Sequence, residues 1–140
     1  MVEYKWTQFS SVVPDQEYYA FAEIGERNSV FSFFKFGNRA RVMQKQLAGA
    51  KGLVGYRAKM EFTGKRVLMV AVFDNKTSLM EFAHTGQHAN CMKQTLPDLR
   101  DGMKMAEWSI QGSSIPPTIE DAMNRIEKEK KTTLPQPKLL

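Results

Sequence analysis

Two neighbouring segments near the middle of the chain carry the pattern that most restricts its fold. In residues 53–62, LVGYRAKMEF, apolar side chains alternate with Gly or charged residues, as in a strand with one buried face. Residues 67–73, VLMVAVF, are apolar throughout, as in a strand that is covered on both faces. A turn centred on Gly64 separates them. The two segments therefore predict an antiparallel hairpin.

Elements of alternating type flank this hairpin. Residues 17–25, EYYAFAEIG, predict a first strand. From residue 29, apolar residues at helical spacing predict a first helix that ends at Gly49 or Gly52, and FSFFKF within it would also suit a strand. Residues 76–85 predict a second helix, and residues 103–110 predict a fourth strand. The order β-α-β-β-α-β predicts an α+β, ferredoxin-like fold in which both helices lie on one face of a four-stranded sheet.

The end of the chain adds a helix and a tail. Thr118 and Asp121 have the spacing of a capping box, and Asp121 stands four residues before Arg125. An apolar stripe on the same segment completes an amphipathic C-terminal helix. The stripe comprises Ile119, Ala122, Met123 and Ile126. We predict one α+β barrel domain over residues 1–127 and a flexible basic tail over residues 128–140.

Composition excludes several classes of function. The chain has 140 residues, enough for one core, and a net charge of +5. Its Lys and Arg residues are scattered and form no nucleic-acid-binding module, so we predict no nucleic-acid partner. No apolar run is long enough to span a membrane, so we predict no membrane partner. A single Cys cannot form an intramolecular disulfide. We predict a cytoplasmic protein.

Residues 81–94, EFAHTGQHANCMKQ, contain both His residues and the Cys. His84 and His88 are four residues apart, a spacing that places two imidazoles near one face of an unbroken helix. Gly86 interrupts that register, and neither His belongs to an H-E-x-x-H motif. We therefore predict no metal site, and Cys91 is expected to be a small buried side chain.

One face of the predicted sheet lacks a cover, because two helices occupy only the other face. Its candidate side chains are aromatic or are Met, and in water they would form a large apolar patch. We therefore predict a homodimer in which two sheets pack face to face, with a pocket at the barrel mouth or between sheet and helices. The candidates are Tyr19 and Phe21 or Tyr18 and Ile24, with Tyr56, Met60, Met69 or Val70, and Trp108.

Four side chains are candidates to bind a substrate in that pocket. Tyr56 and Trp108 lie on predicted strands and would offer a platform for a flat ligand. Met60 and Met80 would give the pocket an adaptable apolar lining. Each of the four also suits ordinary core packing.

Several motifs resemble those of a known superfamily. VFDN at residues 72–75 and SLMEFAHTGQH at residues 78–88 resemble the third strand and second helix of dimeric α+β barrel proteins, such as antibiotic-biosynthesis and haem-degrading monooxygenases. Residues 34–57 are similar to the corresponding segment of spheroidene-monooxygenase-like proteins. Residues 115–128 are similar to the closing helix of a bacterial barrel family of unknown function. The resemblance covers residues 17–127.

This resemblance implies a small-molecule monooxygenase, either cofactor-independent or haem-assisted, that acts on an apolar or aromatic substrate. It implies His88 as the catalytic base or the haem ligand, and Phe82 as a wall of the pocket. The haem-degrading enzymes carry a Trp where this chain has Phe82, which disfavours haem degradation of that kind. Two alternatives are a protein that binds haem or another hydrophobic ligand without turnover, and an interaction module whose basic tail recruits a partner.

Overall fold

The computed structural model describes residues 2–27, 45–60, 66–84 and 99–129. The strands are β1 (Val2–Gln8), β2 (Glu17–Arg27), β3 (Leu53–Met60), β4 (Arg66–Phe73) and β5 (Leu99–Gln111), and the helices are α1 (Lys76–His84) and α2 (Ile119–Glu129). Residues 45–48 are helical as well. None of the helices within these ranges is long and apolar enough to cross a membrane.

The five strands form one antiparallel sheet in the order β1-β3-β4-β2-β5. β4 lies at its centre and is buried from Leu68 to Phe73, which explains why its sequence is apolar at every position. The predicted hairpin corresponds to β3 and β4, and the predicted first and fourth strands correspond to β2 and β5. The α+β, ferredoxin-like fold is thus confirmed.

The sheet has one strand more than predicted. β1, VEYKWTQ, pairs with β3 at the edge of the sheet. Polar and charged residues are interspersed through it because Tyr4 and most of its neighbours are exposed, so it lacks the apolar run that revealed the inner strands. The first predicted helix is described only in its last turn, at residues 45–48; its earlier part, residues 29–44, lies outside the described residues.

A β-bulge near the start of β3 changes the face of the sheet from which its side chains project. The register shifts between Leu53 and Gly55, so that Leu53 pairs with Phe73 and Tyr56 pairs with Ala71. Val54 therefore faces the opposite side from Tyr56, and the prediction that both lie on one face is wrong. The physical reason is the extra residue that a bulge inserts into one strand, which reverses the alternation at that point.

The two faces of the sheet have separate apolar cores. The α1 face comprises Phe21, Leu53, Met69, Ala71 and Phe73 of the sheet, packed with Leu47, Leu79 and Phe82. The α2 face comprises Tyr18, Ala20, Ala22, Val54, Leu68, Val70, Val72, Ala106, Trp108 and Ile110, packed with Ala122 and Ile126. We call these two sets of side chains the α1 face and the α2 face.

The C-terminal helix covers the face that was expected to require a second subunit. Tyr18, Val70 and Trp108 are buried within the single chain, because α2 packs its apolar stripe against them. The expectation that these side chains stay bare in one subunit is therefore wrong. The sequence predicts the apolar stripe of α2 but does not specify the face of the sheet against which this stripe packs. The homodimer itself stays a prediction.

Side-chain contacts fix α2 at both its start and its middle. The Asp121 N–H donates to Thr118 Oγ1 at 3.0 Å, which confirms the predicted cap. Arg125 Nε lies 3.3 Å from Asp121 Oδ2. The Arg125 guanidinium also lies 4.8 Å from the centroid of the Trp108 ring, within the range of a cation–π contact. These contacts orient the helix over β5.

The backbone at Gly52, just before β3, lies in close contact with Asp74 and Ser78 at the start of α1. Gly52 has φ 81°, a left-handed conformation that favours glycine. A Cβ at this position would meet Asp74 Oδ1 and Ser78 Oγ. The Asp74 N–H donates to Gly52 O at 2.8 Å. Asn75 caps the start of α1, since the Ser78 N–H donates to Asn75 Oδ1 at 2.9 Å.

We expect Gly52→Ala to lower the free energy of unfolding by about 2 kcal/mol, because the left-handed conformation and the clash with α1 both oppose a side chain. Urea denaturation measures this change. Gly49→Ala is the matched control: its Cβ would lie 3.8 Å from the nearest atoms, the backbone oxygens of Lys45 and Gln46, and we expect a change within about 0.5 kcal/mol. Equal effects of the two substitutions would contradict the described approach.

We expect Ile126→Ala to lower the free energy of unfolding by about 2–4 kcal/mol, since Ile126 is 5% exposed and its truncation leaves a cavity between α2 and the sheet. Glu127→Ala changes the exposed neighbour in the same helix and should have little effect. Denaturation curves of both variants check the prediction. A near-zero effect of Ile126→Ala would mean that α2 does not pack on the α2 face.

Candidate functional site

Among the described residues, one carboxyl, that of Glu23, lies within the apolar α1 face. Glu23 pairs across the sheet with Met69 on β4 and with Met105 on β5, and cross-strand partners project from the same face. Phe21, two residues earlier on β2, lies on that face too. The Glu23 side chain is 4% exposed. Burial of an ionisable group among Met and Phe side chains is costly and marks a candidate site.

Burial changes the proton affinity of Glu23. Removal from water disfavours the charged form and raises the pKa of this carboxyl from its ordinary value of 4.5 to about 7. The carboxyl and carboxylate forms are therefore both populated near neutral pH. Such a group can accept or donate a proton under physiological conditions, which an ordinary glutamate does poorly.

Sequence reasoning missed Glu23, although a signal was present. Residues 17–25 were interpreted as a strand from their aromatic and small apolar residues. Within that run, Glu23 lies between Ala22 and Ile24, two residues after Phe21. In a strand this spacing places the side chains of Phe21 and Glu23 on the same face. A charged residue at a core position of a strand that is apolar on both faces is a functional candidate.

An aromatic margin borders the α1 face on the β3 side. The rings of Phe9 and Tyr56 are stacked, with centroids 6.0 Å apart and planes 5° apart. Burial raises the pKa of Tyr56, and Tyr4 raises it further. Phe9 and Tyr4 are 45% and 44% exposed. Stacked, partly exposed rings beside an apolar face can hold a flat ligand.

A second ring pair lies beneath α1. Phe73 of β4 and Phe82 of α1 have centroids 5.8 Å apart and planes inclined by 36°. Both side chains are buried. This contact holds α1 against the centre of the sheet and gives the α1 face an aromatic wall.

A polar margin borders the opposite side, between β2, β5 and the start of α1. Burial raises the pKa of Tyr19 to about 12, and the charge and hydrogen bond of Glu107 act in the same direction. Lys76 Nζ lies 4.0 Å from Glu107 Oε1 and 5.8 Å from the Tyr19 ring centroid. Because Lys76 is largely exposed, this network contributes little stability. It places polar groups beside the apolar centre.

The structure brings together only some of the predicted substrate-binding residues. Tyr56, Met80 and Phe82 belong to the α1 face or pack against it. Trp108 belongs to the α2 face, so the sheet separates it from the other three. The reason is register: Trp108 pairs with Ala20, whereas its neighbour Glu107 pairs with Phe21.

Two further predicted residues are described incompletely or not at all. Met60 is the last residue of β3, and its side chain lies outside the described part. His88, the predicted catalytic base or haem ligand, lies outside the described residues, as do Gly86 and Cys91. Across the described ranges, no group of three or more His, Cys, Asp and Glu side chains could hold a metal ion.

The raised pKa of Glu23 predicts a pH dependence of stability. Between about pH 4.5 and 7 the folded chain binds more protons than the unfolded chain, so the free energy of unfolding falls as pH rises through this window. Glu23→Gln removes this dependence. The stability of the variant relative to the wild type should therefore increase by about 3 kcal/mol between pH 4 and pH 8.

Denaturation with urea at several pH values measures that difference. Glu17→Gln, an exposed position on the same strand, is the control and should follow the wild type. Parallel pH profiles for Glu23→Gln and the wild type would contradict the burial of an ionisable Glu23.

Comparison with known proteins gives matches by structure and not by sequence. No protein-family model matches the chain, and no curated protein sequence matches it. Among solved structures, a Nitrosomonas europaea protein named as a candidate antibiotic biosynthesis monooxygenase has a TM-score of 0.59 at 9% identity, over 76% of this chain and 97% of that protein. A second N. europaea protein, of unknown function, has a TM-score of 0.60 at 10% identity, over 74% and 99% of the two chains.

A candidate monooxygenase from Fusobacterium nucleatum has a TM-score of 0.59 at 12% identity, over 73% of this chain and 46% of that protein. This chain thus corresponds to about half of the Fusobacterium protein. At such identities the likeness concerns the fold. The chain has the fold of antibiotic-biosynthesis-monooxygenase-like proteins, as its sequence motifs had indicated.

Proposed function

We propose that this protein is a small-molecule monooxygenase that binds an apolar, aromatic substrate against the α1 face. The observation that carries the proposal is the composition of this face, where Met and Phe side chains lie around the buried carboxyl of Glu23 and stacked rings form the margin. The fold shared with proteins named as candidate monooxygenases supports it.

The α1 face supplies what such chemistry requires. An apolar surface excludes water from an electron-rich ring while that ring reacts with dioxygen. Phe82 forms a wall, Met80 provides an adaptable lining, and Tyr56 with Phe9 forms the stacking margin. In a cofactor-independent reaction the substrate itself provides the electrons that reduce dioxygen. We propose His88 as the catalytic base, from the superfamily resemblance.

Haem is the alternative cofactor, and its fit depends on the ligand to iron. Among the described side chains of the α1 face, Met69, Met80 and Met105 offer thioether ligands. The superfamily resemblance makes His88 the proposed imidazole ligand. A haem bound here would supply redox chemistry at its iron, or would be the ligand of a protein without turnover. The apolar α1 face suits both alternatives equally.

The homodimer is a further proposal. Tyr4, Phe9 and Val13 remain exposed along β1 and the segment that follows it, and large exposed apolar side chains favour association. Sedimentation equilibrium at micromolar concentration should give twice the mass of one chain. A single species with the mass of one chain would contradict the dimer.

We expect Tyr56→Leu to lower kcat/KM for a hydroxynaphthalene at least tenfold, because the stacking margin loses one of its two rings. Oxygen uptake and incorporation of isotopic oxygen into the product measure the activity. Ile110→Val, a smaller truncation on the α2 face, controls for a general effect of core packing and should leave the activity unchanged. Absence of oxygen uptake with the wild type across a panel of hydroxynaphthalenes would count against a monooxygenase.

A titration with haemin separates the alternatives. A spectral change that is lost in His88→Ala, without formation of any product, would indicate a haem-binding protein. Haemin that leaves the spectrum unchanged, together with oxygen uptake on an aromatic substrate, would indicate cofactor-independent chemistry.

A further inference from the structure

The exposed apolar side chains of the described residues are concentrated at one edge of the sheet. Tyr4, Phe9 and Val13 are the large apolar residues that stay exposed among those described, at 44%, 45% and 51%. All three lie on β1 or on the segment that follows it. β1 is an end strand, and within the described ranges no strand pairs with its outer side. An apolar strand edge of this kind favours pairing with another strand.

The sheet face that two bare sheets would share is occupied in this chain. α2 packs against the α2 face, and Tyr18, Val70 and Trp108 of that face are each 8% exposed or less. Face-to-face packing of two sheets would therefore first require the removal of α2. Pairing at the outer side of β1 leaves α2 in place.

We propose that two copies of this chain associate through β1, which pairs antiparallel with β1 of the second copy about a two-fold axis at Tyr4. The contact joins two five-stranded sheets into one continuous sheet and is isologous, as expected for a symmetric dimer. This inference rests on the homodimer proposed above and specifies its surface. It does not depend on the chemistry of the α1 face.

The charges of β1 select this register. Tyr4 lies between Glu3 and Lys5, and both charged residues are exposed. Antiparallel pairing centred on Tyr4 sets Glu3 of each copy opposite Lys5 of the other, which stabilises the pair. Pairing centred on Glu3 or on Lys5 sets like charges against each other and is disfavoured. Because Glu3 Oε2 already lies 3.4 Å from Arg57 Nη2, the Glu3 carboxylate would lie between two cations.

The position of Tyr4 suits a contact at the axis. β1 pairs regularly with β3 from Val2 to Tyr4, and its register shifts before Thr7, so a further strand is expected at this first part of β1. Tyr4 acts on the neighbouring Tyr56, whose ring stacks on that of Phe9. Two Tyr4 rings at the axis would join the aromatic margins of the two copies. The second copy would thus contribute a ring beside the candidate site.

Charge reversal tests the register by sedimentation equilibrium. Lys5→Glu leaves the Glu3–Arg57 pair intact but sets acidic residues opposite each other, and Glu3→Lys sets basic residues opposite each other. Each variant alone should raise the Kd of the dimer at least about tenfold, since two ion pairs are replaced by repulsion. An equimolar mixture of the two variants should recover the association of the wild type, because every reversed charge then faces its opposite. Lys104→Glu, an exposed position on β5, is the control and should associate as the wild type does.

A disulfide at the axis gives a second measurement. Opposed Cα atoms of an antiparallel pair lie about 4.5–5.5 Å apart, within the range that a disulfide spans. Tyr4→Cys in a Cys91→Ser background, which removes the one native Cys, should therefore form a covalent dimer on mild oxidation. Gln8→Cys in the same background, exposed at the end of β1, should remain a single chain.

The outcomes separate this inference from the other proposals. A wild type that sediments as one chain would overturn both the homodimer and its interface, and the proposed monooxygenase would stand. A wild-type dimer that Lys5→Glu leaves intact would overturn the β1 contact alone. The register would be overturned if both variants dissociate and their mixture does not associate, or if Tyr4→Cys forms no covalent dimer.

Discussion

The central strand β4 has to be covered on both sides, and the rest of the described structure is arranged to meet that requirement. Every residue from Leu68 to Phe73 is buried, so neither face of the sheet can be left to water. α1 and the helical residues 45–48 cover one side, and α2 covers the other. The fold is therefore a three-layer arrangement in which each layer depends on the alternation of side chains along β2, β4 and β5.

The sequence predicted the parts of the fold whose patterns are strong and local. The alternation after residue 53, the continuous apolar run of β4 and the capped amphipathic stripe of α2 each correspond to an observed element. The errors arose where a local pattern does not carry the information. β1 is an exposed edge strand, and the bulge near Gly55 depends on pairing with β4. The position of α2 depends on a tertiary contact with β5, which its own stripe cannot specify.

The candidate site was predicted in part, for the same reason. Tyr56, Met80 and Phe82 were chosen by residue type and resemblance, and they do meet on the α1 face. Trp108 was predicted from its residue type and its position on a strand, and its register on β5 places it on the other side of the sheet. Glu23 was not among the residues that the sequence motifs predicted. A lone acidic residue inside an apolar strand is a weaker sequence signal than a motif of several residues. The raised pKa of Glu23 follows from its burial, which the sequence alone does not give.

Side chains along β2 project alternately from the two faces of the sheet, and the two sets contact different parts of the structure. Tyr18, Ala20 and Ala22 contact the closing helix, whereas Phe21 and Glu23 face the candidate site. Adjacent residues of one strand therefore have different structural roles. Substitutions at Tyr18, Ala20 or Ala22 change the packing beneath α2 and leave the side chains of the α1 face in place. Substitutions at Phe21 or Glu23 change the α1 face, and the seat of α2 on the sheet is preserved.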